Sequence, residues 1–410
     1  MSKEVSYPKE KIKILLLEGL HQSATNEFNK KGYTNIDAYK ESMTEDELLG
    51  CIENYHIIGI RSKTNLTPAV LEKAKKLLTI GCFCIGTNQV DLVKATELGI
   101  PVFNSPYSNT RSVAELIIAN SIMLLRGIPA KNVAMHQGNW QKSAKASYEL
   151  RGKTIGIIGY GHIGSQVSVL AESMGLKVIY YDIEPKLPLG NAHAADTLAE
   201  LYTVADIVTL HVPATPGTKN MITAKDFSLM KDGVIFQNLS RGNVVDIDAL
   251  KDAVISNKVG GAAVDVFPKE PKQNGPGFES PLIGLDNIIL TPHIGGSTQE
   301  AQENIGTEVG TKLTNFMDNG STLGSKSVPE LSLSTQNDTK RVLHFHKNVP
   351  GVLSEINSIL SKHNVNILGQ HLKTNESIGY VVLDVDKNAD WSLIEDLKSV
   401  PNTIKTRILY

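Results

Sequence analysis

The stretch that decides the fold is GIIGYGHIG, residues 156–164. An apolar run with strand character leads into it from Lys153, and the apolar spacing after it predicts a helix over 163–174. A second strand follows over 177–181 and is closed by an acid, Asp182. A strand, a glycine-rich turn, a helix and a second strand with a terminal acid together predict a dinucleotide-binding unit.

The glycines and the acid each have a physical task. Gly159 permits the tight turn, Gly161 has no Cβ and lets a pyrophosphate approach the main chain, and Gly164 lets the helix pack closely on the strand. Free N–H groups at the N-terminus of the helix face the phosphates. The carboxylate of Asp182 accepts hydrogen bonds from the adenosine ribose and repels a 2′-phosphate, so the sequence predicts NAD rather than NADP.

Length and composition limit the class of protein. A chain of 410 residues is expected to form about two or three domains, and the net charge of -2 argues against a nucleic-acid surface. The best candidate for a membrane span, 113–125, is short, and the N-terminus lacks the apolar core of a signal peptide. Cys51, Cys82 and Cys84 are an odd and sparse set, and Cys82 and Cys84 are too few for a structural zinc site because no further Cys or His pair completes one nearby. We therefore expect a cytoplasmic protein with reduced thiols and with no metal, membrane or nucleic-acid partner.

Strands and helices alternate on both sides of the dinucleotide-binding unit. Short apolar runs separated by polar helical stretches precede it, and further βα units follow it as far as a strand over 287–291. Repeated βα units imply a parallel sheet with helices on both faces. Two long helices, predicted over 108–126 and 298–317, flank the unit, which indicates that it is inserted into the first domain.

The end of the chain reads as a separate small domain. Residues 319–338 are rich in Ser, Thr, Gly and Asn, which predicts a linker, and a βαββαβ pattern follows. We predict two doubly wound parallel-sheet domains of the Rossmann type, one inserted in the other, plus a C-terminal α+β domain. The predicted boundaries are 1–107 with 299–330 for a substrate-binding domain, 108–298 for the nucleotide-binding domain, 331–338 for the linker and 339–410 for the C-terminal domain.

Three chemically useful residues, Arg241, Glu270 and His293, each stand just after a strand. Groups beyond the strand C-termini of a doubly wound sheet converge on the crevice that holds the dinucleotide. His293 can take a hydroxyl proton as hydride leaves the carbon, Glu270 can orient and stabilise the imidazolium, and Arg241 can hold a carboxylate. Asp265 is a candidate for orienting the nicotinamide carboxamide. Singly, each residue also fits an ordinary loop or turn position, so the prediction of a 2-hydroxy acid site depends on their joint occurrence.

A further anion-binding group is predicted in the first domain. Arg61 ends the strand over 56–60 and can face the crevice from the opposite wall, with Ser62 beside it and Asn109 at the start of the long helix. An Arg with nearby polar groups suits an anionic substrate tail, although a surface Arg is the plain alternative. Lys142 is a weaker candidate, because it would have to reach in from another subunit.

Several motifs carry a family resemblance. GIIGYGHIG with Asp182, LSRGNVVD (239–246), GAAVDVFPKEP (261–271) and LTPHIGGST (290–298) together resemble the D-isomer-specific 2-hydroxyacid dehydrogenases. The resemblance implies that Arg241 binds substrate and that Glu270 is the partner of His293, the proton donor or acceptor. The NAD contacts that it implies are His162, Ile163, Asp182, Leu239, Ser240, Arg241, Asp265, His293, Ile294, Gly295 and Gly296.

The resemblance is closer to members of the family that carry a C-terminal ACT domain, and IGCFCIGTNQVD (80–91) supports it. Such members oxidise 3-phospho-D-glycerate to 3-phosphohydroxypyruvate, the first step of phosphorylated L-serine biosynthesis, and relatives also reduce 2-oxoglutarate. HFHKNVPGVLSEI (344–356) resembles the start of an ACT domain that binds L-serine between two copies. The resemblance therefore implies feedback inhibition through His346, Asn348 and Asn366 and a homo-oligomer, expected to be a tetramer.

Two other functions stay open on the sequence. The first is an NAD-dependent dehydrogenase of another D-2-hydroxy acid, such as glycerate or lactate, against which Arg61 and the tail both argue. The second is an NAD-sensing binding protein similar to the C-terminal binding corepressors, which share the fold and the Arg, Glu and His but lack an ACT tail.

Overall fold

The chain forms two compact units. One comprises Met1–Ser108 and Gln302–Tyr410, and the other comprises Asn109–Ala301. The computed structural model describes residues 7–271, 274–335, 339–387 and 392–409.

The first unit begins with a five-stranded parallel sheet. Its strands are β1 (Ile14–Leu16), β2 (Ile36–Ala38), β3 (Ile57–Ile60), β4 (Thr79–Cys82) and β5 (Val102–Asn104), in the order β2-β1-β3-β4-β5. The helices between them are α1 (Gln22–Lys30), α2 (Glu45–Cys51), α3 (Pro68–Lys73) and α4 (Leu92–Glu97). Thr44 and Thr67 cap α2 and α3 through their side chains, as expected for polar residues that precede a helix.

The second unit is built on a seven-stranded parallel sheet. Its strands are β6 (Thr154–Ile158), β7 (Lys177–Tyr181), β8 (Ala192–Ala194), β9 (Ile207–Leu210), β10 (Val234–Asn238), β11 (Val259–Val264) and β12 (Ile288–Leu290), in the order β12-β11-β10-β9-β6-β7-β8. Its helices are α5 (Thr110–Arg126), α6 (Ile128–His136), α7 (His162–Ser173), α8 (Leu198–Val204), α9 (Ala224–Leu229) and α10 (Ile247–Ile255). The strand order reverses at β6, so the glycine-rich turn after β6 lies where such sheets bind their ligands.

The long helix α11 (Gln299–Asn319) precedes the tail in the chain, and the tail forms an antiparallel sheet. Its elements are β13 (Thr339–Lys347), α12 (Val352–Lys362), β14 (Ile367–Thr374), β15 (Ile378–Asp386), α13 (Ser392–Ser399) and β16 (Thr403–Leu409), with the strands in the order β14-β15-β13-β16. Apolar residues of the strands and of both helices share one core, which includes Val342, Ile356 and Leu383. The predicted βαββαβ domain is confirmed.

The interpretation of residues 319–338 as an open linker is wrong for the stretch 320–333. The hydroxyl of Thr322 donates to Pro329 O at 2.7 Å and accepts from Leu331 N at 2.8 Å. The buried Ser327 binds the edge of the first sheet, where its hydroxyl donates to Ile100 O at 2.7 Å. Hydroxyl-rich composition suggested solvation, but here the hydroxyls satisfy main-chain groups inside the fold. Residues 336–338 of the predicted linker lie outside the described residues.

The tail packs on the first sheet through apolar side chains. Leu343, Phe345 and Tyr380 share a buried cluster with Phe28 and Phe316. The Tyr380 hydroxyl donates to Gly320 O at 2.6 Å, so the tail also binds the segment that was expected to be its linker.

The described part of the chain contains neither a single-helix membrane span nor a metal-binding group of side chains. No single helix there is long and apolar enough to cross a membrane, although α5 and α6, bent by 67°, pass that test as a pair by length and composition. Nor does that part contain a group of three or more His, Cys, Asp or Glu side chains that could hold a metal ion.

Candidate active site

The glycine-rich turn has the geometry that its sequence predicts. Gly159 has φ of +92°, and a Cβ there would lie 2.7 Å from His211 O. A Cβ at Gly164 would overlap the carbonyl oxygen of Gly159, so the helix can approach the turn only because residue 164 is Gly. At Gly161, by contrast, a Cβ would meet no atom within 4 Å. The N-terminus of α7 is therefore open at the point where a pyrophosphate would approach it.

Asp182 is fixed beside this turn by main-chain hydrogen bonds. Its Oδ2 accepts from Tyr160 N at 2.8 Å, and its Oδ1 accepts from Glu184 N at 3.0 Å. The ring of Tyr160 stacks on that of Tyr180, with 3.8 Å between the centroids. The half-buried carboxylate is thus positioned by the turn itself, at the end of β7, where it can accept ribose hydroxyls. These groups fit an NAD molecule.

His293 and Glu270 form a hydrogen-bonded pair. Nδ1 of His293 lies 2.8 Å from Oε2 of Glu270, and Oε1 of Glu270 accepts from Phe267 N at 3.1 Å. The hydrogen bond to Glu270 raises the pKa of His293, against partial burial, which lowers it. Burial tends to raise the pKa of Glu270, but the bonds from His293 and Phe267 outweigh it and leave that pKa lowered. An imidazole whose Nδ1 is engaged in this way presents Nε2 as the proton acceptor or donor.

Arg241 belongs to a loop that touches the Glu270 loop. A Cβ at Gly242 would overlap the main chain of Phe267, so the contact between the two loops requires glycine at 242. The guanidinium Nη1 of Arg241 donates to Ser240 O at 2.7 Å, and the side chain is half-buried. The second unit therefore brings a cation, an acid and an imidazole to one edge of its sheet, as the sequence predicts.

Asp265 has a structural task that the sequence did not reveal. Its carboxylate is 1% exposed and accepts three hydrogen bonds from the loop that carries His293. Oδ1 accepts from Thr291 Oγ1 at 2.5 Å and from Ile294 N at 2.8 Å, and Oδ2 accepts from Gly295 N at 2.8 Å. Asp265 therefore positions His293, while its predicted contact with nicotinamide stays a prediction.

The other predicted cofactor and substrate residues of this unit lie around the same edge. Ser240 is buried and donates to Asn238 Oδ1 at 2.9 Å, and Leu239 belongs to the core behind it. Asn109 lies so close to Gly296 that a Cβ on the glycine would overlap the Asn109 amide. His162 and Ile294 are exposed, Ile163 is half-buried and Gly295 is buried.

Arg61 lies in the first unit, directly after β3, and is half-buried. Ser62 beside it is exposed, and so is Lys142 of the second unit. The sequence reasoning missed Glu18, whose carboxylate accepts a hydrogen bond from Arg61 N at 3.1 Å. An acid just past a buried strand was the available signal, because Asp182 was identified in the same way.

The three predicted serine-binding residues of the tail differ in their surroundings. His346 is 4% exposed, and its Nδ1 has no hydrogen-bond partner among the residues described. The exposed Asn348 donates from Nδ2 to Asn375 O at 2.8 Å, across the start of the β14–β15 hairpin. Asn366, just before β14, is exposed. Of these three residues, His346 alone is a buried polar group without a hydrogen-bond partner in the part of the chain that the structure describes.

Comparisons with known proteins agree with this geometry. Residues 118–295 match the family model "D-isomer specific 2-hydroxyacid dehydrogenase, NAD binding domain", and 342–405 match "AHAS small subunit-like ACT domain". A solved D-lactate dehydrogenase from Aquifex aeolicus, in complex with NAD and lactic acid, is 29% identical at a TM-score of 0.64, covering 74% of this chain and 95% of its own. The predicted fold class and the predicted cofactor, NAD, are confirmed.

Relatives in other organisms match from end to end. D-3-phosphoglycerate dehydrogenase of Haemophilus influenzae is 53% identical over 410 residues, which is 100% of both chains. The Escherichia coli K12 enzyme is 53% identical over 99% of this chain and 100% of its own, and that of Saccharomyces cerevisiae is 51% identical over 97% and 88%. The chain therefore belongs to the D-isomer-specific 2-hydroxyacid dehydrogenases, and within them to the D-3-phosphoglycerate dehydrogenases, which are NAD-dependent enzymes.

Proposed function

We propose that this chain oxidises 3-phospho-D-glycerate to 3-phosphohydroxypyruvate with NAD, as the first step of L-serine biosynthesis in the cytoplasm. The observation that carries the proposal is the 2.8 Å contact between His293 Nδ1 and Glu270 Oε2, next to the loop of Arg241. It places an acid–base pair and a cation on the same sheet edge as the dinucleotide turn. The names of the full-length relatives support the choice of substrate.

The residues divide the chemistry among them. When bound, NAD would supply the acceptor for the hydride of substrate C2. Nε2 of His293 accepts the proton of the C2 hydroxyl, and the carbon–oxygen bond becomes the carbonyl of the product. Glu270 stabilises the imidazolium that results, and Arg241 binds the substrate carboxylate. In the reverse direction the imidazolium returns the proton as hydride is delivered to carbon.

The phosphate of the substrate needs a cation of its own, and we assign this role to Arg61. A guanidinium binds phosphate through charge-assisted hydrogen bonds, often two at once. The main chain of Arg61 is fixed at the end of β3, because its N–H donates to the Glu18 carboxylate at 3.1 Å. Ser62, Asn109 and Lys142 remain candidates for weaker contacts with the substrate.

We further propose that L-serine inhibits the enzyme through the tail and that the chain forms a homotetramer. Nδ1 of His346 is buried and has no partner within the described ranges, which supports a ligand there, since buried polar atoms are rarely left unbonded. Asn348 lies on the loop that leads to Gly351 and α12. Asn366 of a second copy would complete the site, which makes serine binding and subunit pairing interdependent.

The test is an NADH-coupled assay of the purified full chain with phosphohydroxypyruvate, hydroxypyruvate, pyruvate and 2-oxoglutarate, each with and without L-serine. We expect phosphohydroxypyruvate to give the highest kcat/KM. Higher kcat/KM with pyruvate would indicate another 2-hydroxy acid dehydrogenase, and NADH binding without turnover would indicate a binding protein. Turnover of 2-oxoglutarate would add a second activity.

Serine regulation is tested on variants of the full chain. Asn348→Ala and Asn366→Ala should lose inhibition by serine and keep the uninhibited kcat, because neither residue lies in the catalytic unit. Deleting the tail is a poor test, since it would expose Phe316, which shares a buried cluster with Leu343 and Phe345 of the tail. Serine competing directly with phosphohydroxypyruvate, or unaltered inhibition of both variants, would contradict the proposed site.

A further inference from the structure

Glu18 lies where β1 leaves the first sheet, in a backbone conformation unusual for its type. Its φ is +66°, in the left-handed region that a non-glycine residue adopts only where its surroundings hold it there. Main-chain bonds fix it from both sides: Leu17 N donates to Gly59 O at 2.9 Å and Glu18 N donates to Glu41 O at 3.0 Å. The main chain therefore holds the half-buried side chain of Glu18 in a fixed position.

The carboxylate of Glu18 is surrounded by main-chain donors. Four consecutive N–H groups after β3 donate to it. Oε1 accepts from Arg61 N at 3.1 Å and from Thr64 N at 2.9 Å, while Oε2 accepts from Ser62 N at 3.1 Å and from Lys63 N at 3.0 Å. Successive N–H groups that converge in this way form a concave anion-binding site, and here a side chain of the same unit fills it.

The opposite side of Arg61 is held as well. Its carbonyl oxygen accepts from Gln89 Nε2 and, at 3.5 Å, from the thiol of Cys84. Both polar groups of the Arg61 main chain are thus engaged, one by Glu18 and one by residues after β4. The position of the main chain that carries the Arg61 guanidinium consequently depends on the Glu18 carboxylate.

We propose that Glu18 is a positioning residue for recognition of the substrate phosphate. Its carboxylate holds the loop 61–64 in the conformation that directs Arg61 and Ser62 toward the substrate phosphate. This inference rests on the function proposed above for Arg61. Glu18 has no part in proton or hydride transfer, so it should govern binding of the phosphorylated substrate rather than the rate of the chemical step.

The first experiment replaces the carboxylate by an amide of the same size, Glu18→Gln. The amide nitrogen would then face two of the four N–H groups, which leaves donors unsatisfied and distorts the loop. We expect KM for phosphohydroxypyruvate to rise about tenfold or more, with kcat and the Kd of NADH nearly unchanged. The KM for unphosphorylated hydroxypyruvate should change much less.

Glu47→Gln is the matched control. Glu47 also accepts a main-chain bond in the same unit, from Thr44 N at 2.7 Å, but it caps α2 and has no bond to residues 61–64. It should leave both KM values unchanged. NADH binding and the thermal unfolding midpoint of each variant show that the chain is folded, and Glu18→Asp, which keeps the charge on a shorter stem, should give an intermediate KM.

A double-mutant cycle separates positioning from general destabilisation. If Glu18 acts through Arg61, then Glu18→Gln should have little further effect on KM in an Arg61→Ala background, whereas an independent structural role would give additive effects. Additivity, or an equal rise in KM for both substrates, would overturn the proposal. If Arg61→Ala alone leaves the KM for phosphohydroxypyruvate unchanged, the assignment of Arg61 fails instead.

Discussion

Replacing Asp265 by Asn should lower kcat by disturbing the loop that carries His293. The Asp265 carboxylate binds Thr291 Oγ1, Ile294 N and Gly295 N, which lie on both sides of His293. His293 itself has φ of +55°, a conformation that costs an L-residue about 1–2 kcal/mol. The loop therefore stays in place because Asp265 holds it, and weaker hydrogen bonds should let it relax.

The size of the effect follows from the three bonds of Asp265. A hydrogen bond to a charged group contributes about 1.5–3 kcal/mol and one between neutral groups about 0.5–1.5 kcal/mol. In Asp265→Asn the two bonds to Oδ1 become bonds to a neutral amide oxygen. The amide nitrogen then faces the N–H of Gly295, and this unsatisfied donor costs a further ~1–3 kcal/mol. These contributions sum to at least about 3 kcal/mol, and applied to the equilibrium between the loop in place and the loop displaced they should lower kcat by about a hundredfold.

The assay is kcat in both directions together with the Kd of NADH from fluorescence titration. Thr291→Val is the matched variant, since it removes one of the three donors and keeps the branched side chain. It should lower kcat by about tenfold at most, in the same sense as Asp265→Asn. If Asp265→Asn weakens only NADH binding, and Thr291→Val has the kcat of the wild type, then Asp265 contacts the cofactor and does not position His293.

Three further outcomes are expected of the site. His293→Ala should lower turnover by about two to four orders of magnitude with NADH affinity nearly normal, and unchanged turnover would exclude it as the proton carrier. Glu270→Gln replaces the charged acceptor that raises the pKa of His293 by a neutral one, so the loss of reductive activity with rising pH should begin at a lower pH than in the wild type; a shift to higher pH in the pH–rate profile would be evidence against the pair. Asp182→Ala should narrow the preference for NADH over NADPH, measured as the ratio of kcat/KM, and a wild-type preference for NADPH would show that this carboxylate does not select the cofactor.

The dinucleotide turn was predictable because its requirements are local. Gly159 and Gly164 are needed by contacts within the same strand–turn–helix unit, and Asp182 ends the next strand. Arg241, Glu270 and His293 are far apart in sequence, yet each follows a strand, and parallel topology brings strand ends together. The chemistry of the site could therefore be predicted before any distance was known.

Other features depend on partners that the sequence does not identify. The helices α1 and α4 and the strand β2 have only nine, six and three residues, too few for a clear apolar pattern, and tertiary packing decides their conformation. The stretch 320–333 has the composition of a linker, but Ser327 finds its acceptor more than two hundred residues away, at Ile100. Hydroxyl side chains face solvent in a linker and form hydrogen bonds inside the protein in a packed loop. Composition alone does not distinguish the two cases.

Acidic residues just past the ends of strands are a sequence signal for side chains that position neighbouring loops. Glu18, Asp182 and Asp265 stand one or two positions past β1, β7 and β11, and each binds main-chain N–H groups of a loop with a functional residue or of the cofactor turn. Loops at the carboxyl edge of a parallel sheet have left the ladder, so their half-buried N–H groups need other acceptors. A carboxylate at the end of a rigid strand can accept hydrogen bonds from several of these N–H groups at once. Such an acid shapes the neighbouring loop, and its substitution should change binding or turnover even where it touches no ligand.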